Sequence, residues 1–174
     1  VEAMRPGPAT GMATHSGQAD LRFVLHASTD EFPRIVVAPG DVTECFSYTG
    51  VAFNLAEKYQ LPVVILTDKY LGESFWTVPT FEQNGITIER GPLLNNGPAI
   101  NGEGYLRYKN TPSGVSPRTI PGVKGGAFVA SSYEHDEEGF EREEEEIRVM
   151  MHQKRFRKLE SAKKEMENRI FGTE

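Results

Sequence analysis

The sequence predicts an α/β fold: part of a doubly wound, mainly parallel sheet, followed by an irregular arm and a long C-terminal helix. Three observations carry that prediction. Val63 to Leu66 are consecutive apolar residues without alternation, the pattern of a strand covered on both faces. The stretch before it, from Asp41, repeats apolar residues at helical spacing and is itself preceded by the β-branched run Ile35–Val37. From Thr80 the chain becomes dense in Gly and Pro, and from about Glu141 it becomes a charged helical pattern.

Taken in order, "VEAM" opens the chain as the tail of a strand, and "LRFVL" after Asp20 reads as a short helix. "FPRIVVAPG" holds a buried strand closed by Pro39-Gly40. Asp41 supplies an N-cap and Glu44 stands three residues on, the spacing of a capping box. Val42, Cys45, Phe46, Thr49, Ala52, Phe53 and Ala56 then define the expected buried face, and Pro62 stops the helix. Strand, helix and strand make one crossover unit. Because two strands form no stable sheet alone, "VEAM" is the expected third.

The middle zone interleaves Gly and Pro with aromatic and aliphatic residues, which suits an ordered wrapping arm, with short strands near 86–88 and 127–130. Phe75 and Trp76 are expected to pack the domain edge. The last zone reads as a helix over 141–170, with Glu143 to Glu146 favourably placed at its N-terminus. Lys154, Arg155, Arg157 and Lys158 lie further along, and Phe156, Leu159, Ala162, Met166 and Ile170 form its apolar stripe.

Composition narrows the function. The 174 residues suit one domain, or one and a small part, and the net charge of −6 opposes the clustered Lys/Arg footprint of nucleic-acid binding. The single cysteine, Cys45, sits on the apolar face of its helix as a core filler; it admits no internal disulfide and fits a reducing cytoplasm. No apolar run approaches the roughly 20 residues of a membrane span, and no basic-then-apolar leader is expected.

One segment stands out chemically. In "RPGPATGMATHSGQADL", Pro and Gly alternately fix and release the backbone beside Arg5, with Thr10, Thr14 and Ser16 offering hydroxyls nearby. Tight turns with exposed amides accept anions, and a guanidinium pairs bidentately with carboxylate. Two readings stand: a clamp for a small carboxylate, or a surface turn whose arginine sits in a salt bridge. Spacing alone favours the second, since no phosphate-loop pattern is matched. "EHDE", Glu134 to Glu137, holds hard ligands and an imidazole, but adjacent residues rarely converge on one ion, so a polar turn is expected and no metal site.

"RPGPATG", "QADL", "EFPRIVVAPG", "ECF", "AFNLAEKYQLPVVILTDKYL", "SPRTIPG" and "EHDEEG" follow one another in an order that resembles the α subunit of 2-oxoacid:ferredoxin oxidoreductases. These thiamine-diphosphate enzymes oxidatively decarboxylate 2-oxoacids to acyl-CoA, and the 2-oxoglutarate-type branch is most similar. The resemblance implies that residues 1–79 are the second half of a pyrimidine-binding thiamine-diphosphate-type domain. Residues 80–135 would be a linking arm, and 136–174 a long charged helix leading to a following domain.

It further implies that Arg5 and Thr14 face the substrate, with Thr10 supporting the loop or touching substrate, and reverses the preference above in favour of the clamp. Ala9 stands where the family commonly has Ser, and "MAT" replaces "LPT", which alters the loop's hydrogen bonding. The family's upstream "YPITP" segment and its activating Glu are not in this chain. Catalytic residues, Mg²⁺ and the iron–sulfur cluster are therefore expected on other segments or on a β subunit, with a γ subunit or domain as a further candidate partner and ferredoxin acting only indirectly. On this expectation the chain is a piece of a subunit, inert alone, in a cytoplasmic oligomer. The rival expectation is a non-catalytic subunit-interaction module; a phosphometabolite-binding domain is weaker, because no glycine-rich turn joins a strand to a helix.

Overall fold

A computed structural model describes residues 1–82, 86–95 and 104–166. The chain divides at Gly91/Pro92 into two compact units, Val1–Gly91 and Pro92–Glu174.

The first unit is the expected α/β piece. Strand β1 (Glu2–Met4), helix α1 (Leu21–His26), strand β2 (Ile35–Val37), helix α2 (Val42–Tyr59), strand β3 (Val63–Asp68) and helix α3 (Lys69–Glu73) follow in order. All pairings are parallel and the sheet order is β1-β3-β2. The unalternating apolar strand is thus central, with Glu2, Ala3 and Met4 opposite Leu66, Thr67 and Asp68. Ile35, Val36 and Val37 lie opposite Val63, Val64 and Ile65 on its other edge. Met4, Val24 and Leu66 form a buried cluster with Val36 and Val64 packed on it. Each such side chain withdrawn from water contributes about 1.5–3 kcal/mol.

Local signals set the boundaries of α2. The Asp41 side chain accepts the Glu44 N–H at 2.8 Å, while the Glu44 carboxylate reaches back to the Gly40 N–H, also at 2.8 Å. The reciprocal bond therefore falls one residue before the usual capping-box position. Gln60 ends the helix in a left-handed conformation, φ 54°. The buried face differs from the expected one: it is Ala52, Leu55 and Tyr59, whereas Phe53 is 70% exposed and Thr49 is exposed. Leu55 and Tyr59 fall one helical step round from the expected stripe and supply the larger apolar surface. Phe75 and Trp76 do not pack the edge either. They follow α3 in extended backbone, with Phe75 fully exposed.

No strand forms at 86–88 or 127–130. Residues 86–89 run beside α2 instead, where the Asn54 amide donates to Thr87 O at 2.7 Å and accepts the Glu89 N–H at 2.9 Å. Lys58 adds an ion pair to Glu89 at 2.8 Å.

The second unit is organised by helix α4 (Glu145–Ala162), continued by a 3₁₀ turn over Lys163–Glu165. The α-helix ends earlier than the expected Ile170: it tightens to a 3₁₀ turn after Ala162 and Met166 is already extended, while 167–170 lie outside the described residues. The helix begins four residues later than expected, because Glu141 and Arg142 are held in an antiparallel bridge. Glu141 lies opposite His135, and the Arg142 N–H donates to Glu134 O at 2.9 Å.

The "EHDE" segment is neither a metal cluster nor a loose polar turn. Arg155 donates to both Glu134 carboxylate oxygens, at 2.9 and 2.6 Å, and Arg148 joins at 2.8 Å. Burial pushes the Glu134 carboxyl up, but the bonds from Arg155 and Arg148 outweigh it and bring it down to about 2. Asp136 accepts the N–H groups of Glu138, Gly139 and Phe140, each at 3.0 Å.

The buried line of α4 also differs from the expected stripe. It runs Met151, Lys154, Lys158, Ala162, with Lys154 4% and Lys158 9% exposed. Their long stems serve as apolar filler. The loop at Gly114 (φ +78°) lies so close that a Cβ there would meet Lys154 O at 2.3 Å. Burial, followed by repulsion from Lys158, Arg107, Arg155 and Arg157, lowers the Lys154 ammonium to about 7; burial, then Arg107 and Arg155, lowers Lys158 to about 8.

Two expectations follow. Removing one partner of a mostly buried ion pair strands the others, so E134A lowers the unfolding free energy at pH 7 by roughly 2–4 kcal/mol in denaturant titration. Its carboxyl is depressed in the fold, so this contribution is present above the ordinary value of 4.5 and disappears as pH falls toward 2. Lys154 has the opposite sense. Its folded value lies below the ordinary 10.5, so folding disfavours the charged form and stability rises between pH 7 and 10.5. K154M removes the Lys154 part of that rise, leaves the part Lys158 contributes above about 8, and stabilises the chain at pH 7 by about 1–3 kcal/mol, read as a higher melting temperature.

Candidate functional site

Open parallel sheets bind ligands beyond the carboxyl ends of their strands. In the first unit β1 ends at Met4 directly opposite Asp68, the end of β3, so Arg5 emerges at that rim. Residues 5–20 then make a compact turn. The Gly11 N–H donates to Pro6 O at 3.0 Å, the Gly7–Pro8 peptide is cis, and Ala9 adopts a left-handed φ of 53°. The loop returns across its own start: a Cβ on Gly17 would lie 2.8 Å from Pro6 N and 3.0 Å from Arg5 C. Only glycine permits that crossing.

Arg5 and Thr10 line one cavity of about 420 Å³, together with Glu2, Ala9, Asp20 and Phe23. The Arg5 backbone N–H faces Asp20 Oδ2 at 3.4 Å, so the Asp20 carboxylate, which makes no capping bond to α1, reaches the loop. The Arg5 side chain is exposed, and its guanidinium forms no ion pair among the described residues. Thr14 lies on the same turn but does not line the cavity; its hydroxyl meets His15 Nδ1 at 3.2 Å. Sequence reasoning passed over Gln18 and Asp68, joined Nε2 to Oδ2 at 2.7 Å across 50 residues. The one available signal was the Asp68 position at a strand end, where acids commonly cap a following helix.

The cavity is mixed in charge. Arg5 shares the lining with the acids Glu2 and Asp20 and with the ring of Phe23. A second cavity, of about 470 Å³, runs along α2 between Gly50, Asn54 and the stacked rings of Phe46 and Phe81, 4.5 Å apart. It presents apolar surface and no acid–base pair. The Cys45 thiol, half-buried, is pushed up by burial and then by Asp41 and Glu44, which keeps it an unreactive thiol. Among the described residues no cluster of His, Cys, Asp or Glu could hold a metal ion, and no helix is long and apolar enough to cross a membrane.

Comparison with known proteins identifies the relatives of this chain. The chain is 42% identical over 165 residues to 2-oxoacid:ferredoxin oxidoreductase 1, subunit alpha, of Sulfurisphaera tokodaii, covering 94% of this chain and 25% of that protein. It is 29% identical over 140 residues to 2-oxoglutarate synthase subunit KorA of Methanothermobacter thermautotrophicus, covering 80% of this chain and 35% of that one. A solved 2-oxoglutarate:ferredoxin oxidoreductase from Magnetococcus marinus, with 2-oxoglutarate, coenzyme A and succinyl-CoA bound, superposes with a TM-score of 0.87 at 35% identity. That match covers 99% of this chain and 29% of the solved one. The chain thus spans about a quarter to a third of the length of these relatives. Residues 1–154 match the family model described as pyruvate flavodoxin/ferredoxin oxidoreductase, thiamine-diphosphate-binding, and the chain belongs to that family.

Proposed function

We propose that this chain supplies the substrate-carboxylate loop of the α subunit of a 2-oxoacid:ferredoxin oxidoreductase, with 2-oxoglutarate as the proposed substrate because relatives are named for it. The overall reaction releases the 2-oxoacid carboxylate as carbon dioxide, joins the acyl group to coenzyme A and passes two electrons to ferredoxin. The observation that carries this reading is Arg5. It lines a cavity at the carboxyl end of a parallel sheet, on a loop braced by Gly17 and Asp20, with its guanidinium outside any ion pair among the described residues.

In this role Arg5 grips the carboxylate through two parallel N–H···O bonds and sets the position of the adjacent carbonyl. Thr10, on the same cavity wall, adds a hydroxyl toward the substrate. Thr14 steadies the turn or contacts the part of the substrate beyond it. Glu2 and Asp20 repel a carboxylate from the opposite wall, which gives the substrate one orientation.

Thiamine diphosphate requires a holder for its diphosphate and the accompanying Mg²⁺. The described residues offer neither a metal-ligand cluster nor a glycine-rich turn opening a helix, so they do not fit that end of the cofactor. In this reading the cofactor, Mg²⁺ and an iron–sulfur cluster reside on other segments or on a β subunit. A γ subunit or domain completes a cytoplasmic complex, and ferredoxin docks elsewhere.

The test is R5A in the complete enzyme. Loss of a charge-assisted clamp costs about 1.5–3 kcal/mol, a fall of roughly 10- to 150-fold in kcat/KM for the 2-oxoacid. The KM for coenzyme A should not change. An unaltered kcat/KM for the 2-oxoacid would falsify the assignment.

A further inference from the structure

We infer that Asp68, with Gln18, is a positioning residue for the substrate arginine: it fixes both the departure and the return of the Arg5 loop at one point on the sheet. This rests on the reading of Arg5 given above.

The departure is set by strand register, because Met4 lies opposite Asp68 and Arg5 is the next residue. The return is set by the side chain, because Asp68 Oδ2 accepts the Gln18 amide at 2.7 Å. Between them, Gly17 passes within contact distance of the Arg5–Pro6 peptide, so wherever residue 18 is anchored, the backbone of Arg5 is trapped beneath residue 17. A neighbouring bond acts in the same sense: the Tyr70 N–H donates to Ser16 Oγ at 3.3 Å.

Asp68 is also rigid itself. Its other oxygen, Oδ1, accepts the Leu71 N–H at 2.8 Å as the N-cap of α3, which fixes the carboxylate plane. The Leu71 bond, then the Gln18 bond, hold this carboxyl below its ordinary value, so it is ionised and accepts on both oxygens at neutral pH. An acceptor-only group must meet a donor, which fixes the Gln18 amide with Nε2 toward Asp68. The Gln18–Asp68 bond therefore specifies the height of the loop above the strand ends. The Asp20 contact to the Arg5 N–H braces the opposite flank.

A pair exchange tests this in the complete enzyme. Q18E places two carboxylates in opposition; KM for the 2-oxoacid should rise about tenfold, with kcat changing less than twofold and the melting temperature nearly unchanged, since Gln18 is exposed. Adding D68N to Q18E restores a donor–acceptor pair: one amide oxygen still caps Leu71 and the amide nitrogen donates to the new carboxylate. KM should then return to within two- to threefold of the parent. A merely structural bond would move the melting temperature and leave the KM-to-kcat split alone.

Three results discriminate. If R5A raises KM but Q18E does not, the positioning role is wrong while the substrate loop stands. If Q18E raises KM and D68N/Q18E fails to recover it in a folded enzyme, the pairing is likewise overturned. If R5A itself leaves kcat/KM for the 2-oxoacid unchanged, the underlying reading of Arg5 fails first.

Discussion

The first unit depends on β3 being apolar from Val63 to Leu66 and paired on both edges. A strand with polar residues on alternate positions would suit only one covered face, whereas this run can be packed on both while β1 and β2 pair with its backbone. With Val63 to Leu66 central, the parallel register brings the ends of β1 and β3 to one rim. The Arg5 loop is built there because two chain segments 64 residues apart in sequence, at Met4 and Asp68, finish at the same level. The chemistry of the loop follows from the sheet, not the reverse.

How much of this was legible in the sequence depends on how local the cause was. β2, α2 and β3 were legible because a cap, a continuous β-branched run and a stop signal lie within a few residues of each boundary. β1 is three residues long and was legible only through the requirement for a third strand. The start of α4 was not. The acids at 141–144 satisfy helix-start chemistry, but Glu141 and Arg142 are taken by the Glu134–His135 segment, a tertiary bond that outweighs local preference.

The same division holds for the buried faces and the site. Lys154 and Lys158 were left off the expected apolar stripe because their charge masks the apolar stem in a sequence pattern, whereas the fold uses their methylene stems. On α2, apolar residues occur around much of the circumference, so the pattern left the buried direction underdetermined by one step. Arg5 and Thr10 were legible as a group, since a Gly/Pro turn beside a fixed cation is a local statement. Gln18 with Asp68 was not, because a hydrogen bond spanning 50 residues leaves no periodic trace.

Asn54 carries a consequence for the phase of the chain after α3. Its single amide matches one carbonyl and one N–H, on Thr87 and Glu89, which flank Ile88 and point to the same side of extended backbone. Extended chain repeats every two residues. A one-residue slip of residues 87–89 along α2 would turn that pair away from Asn54, whereas a two-residue slip would present an equivalent pair in its place. The contact therefore fixes the phase of this segment against the helix.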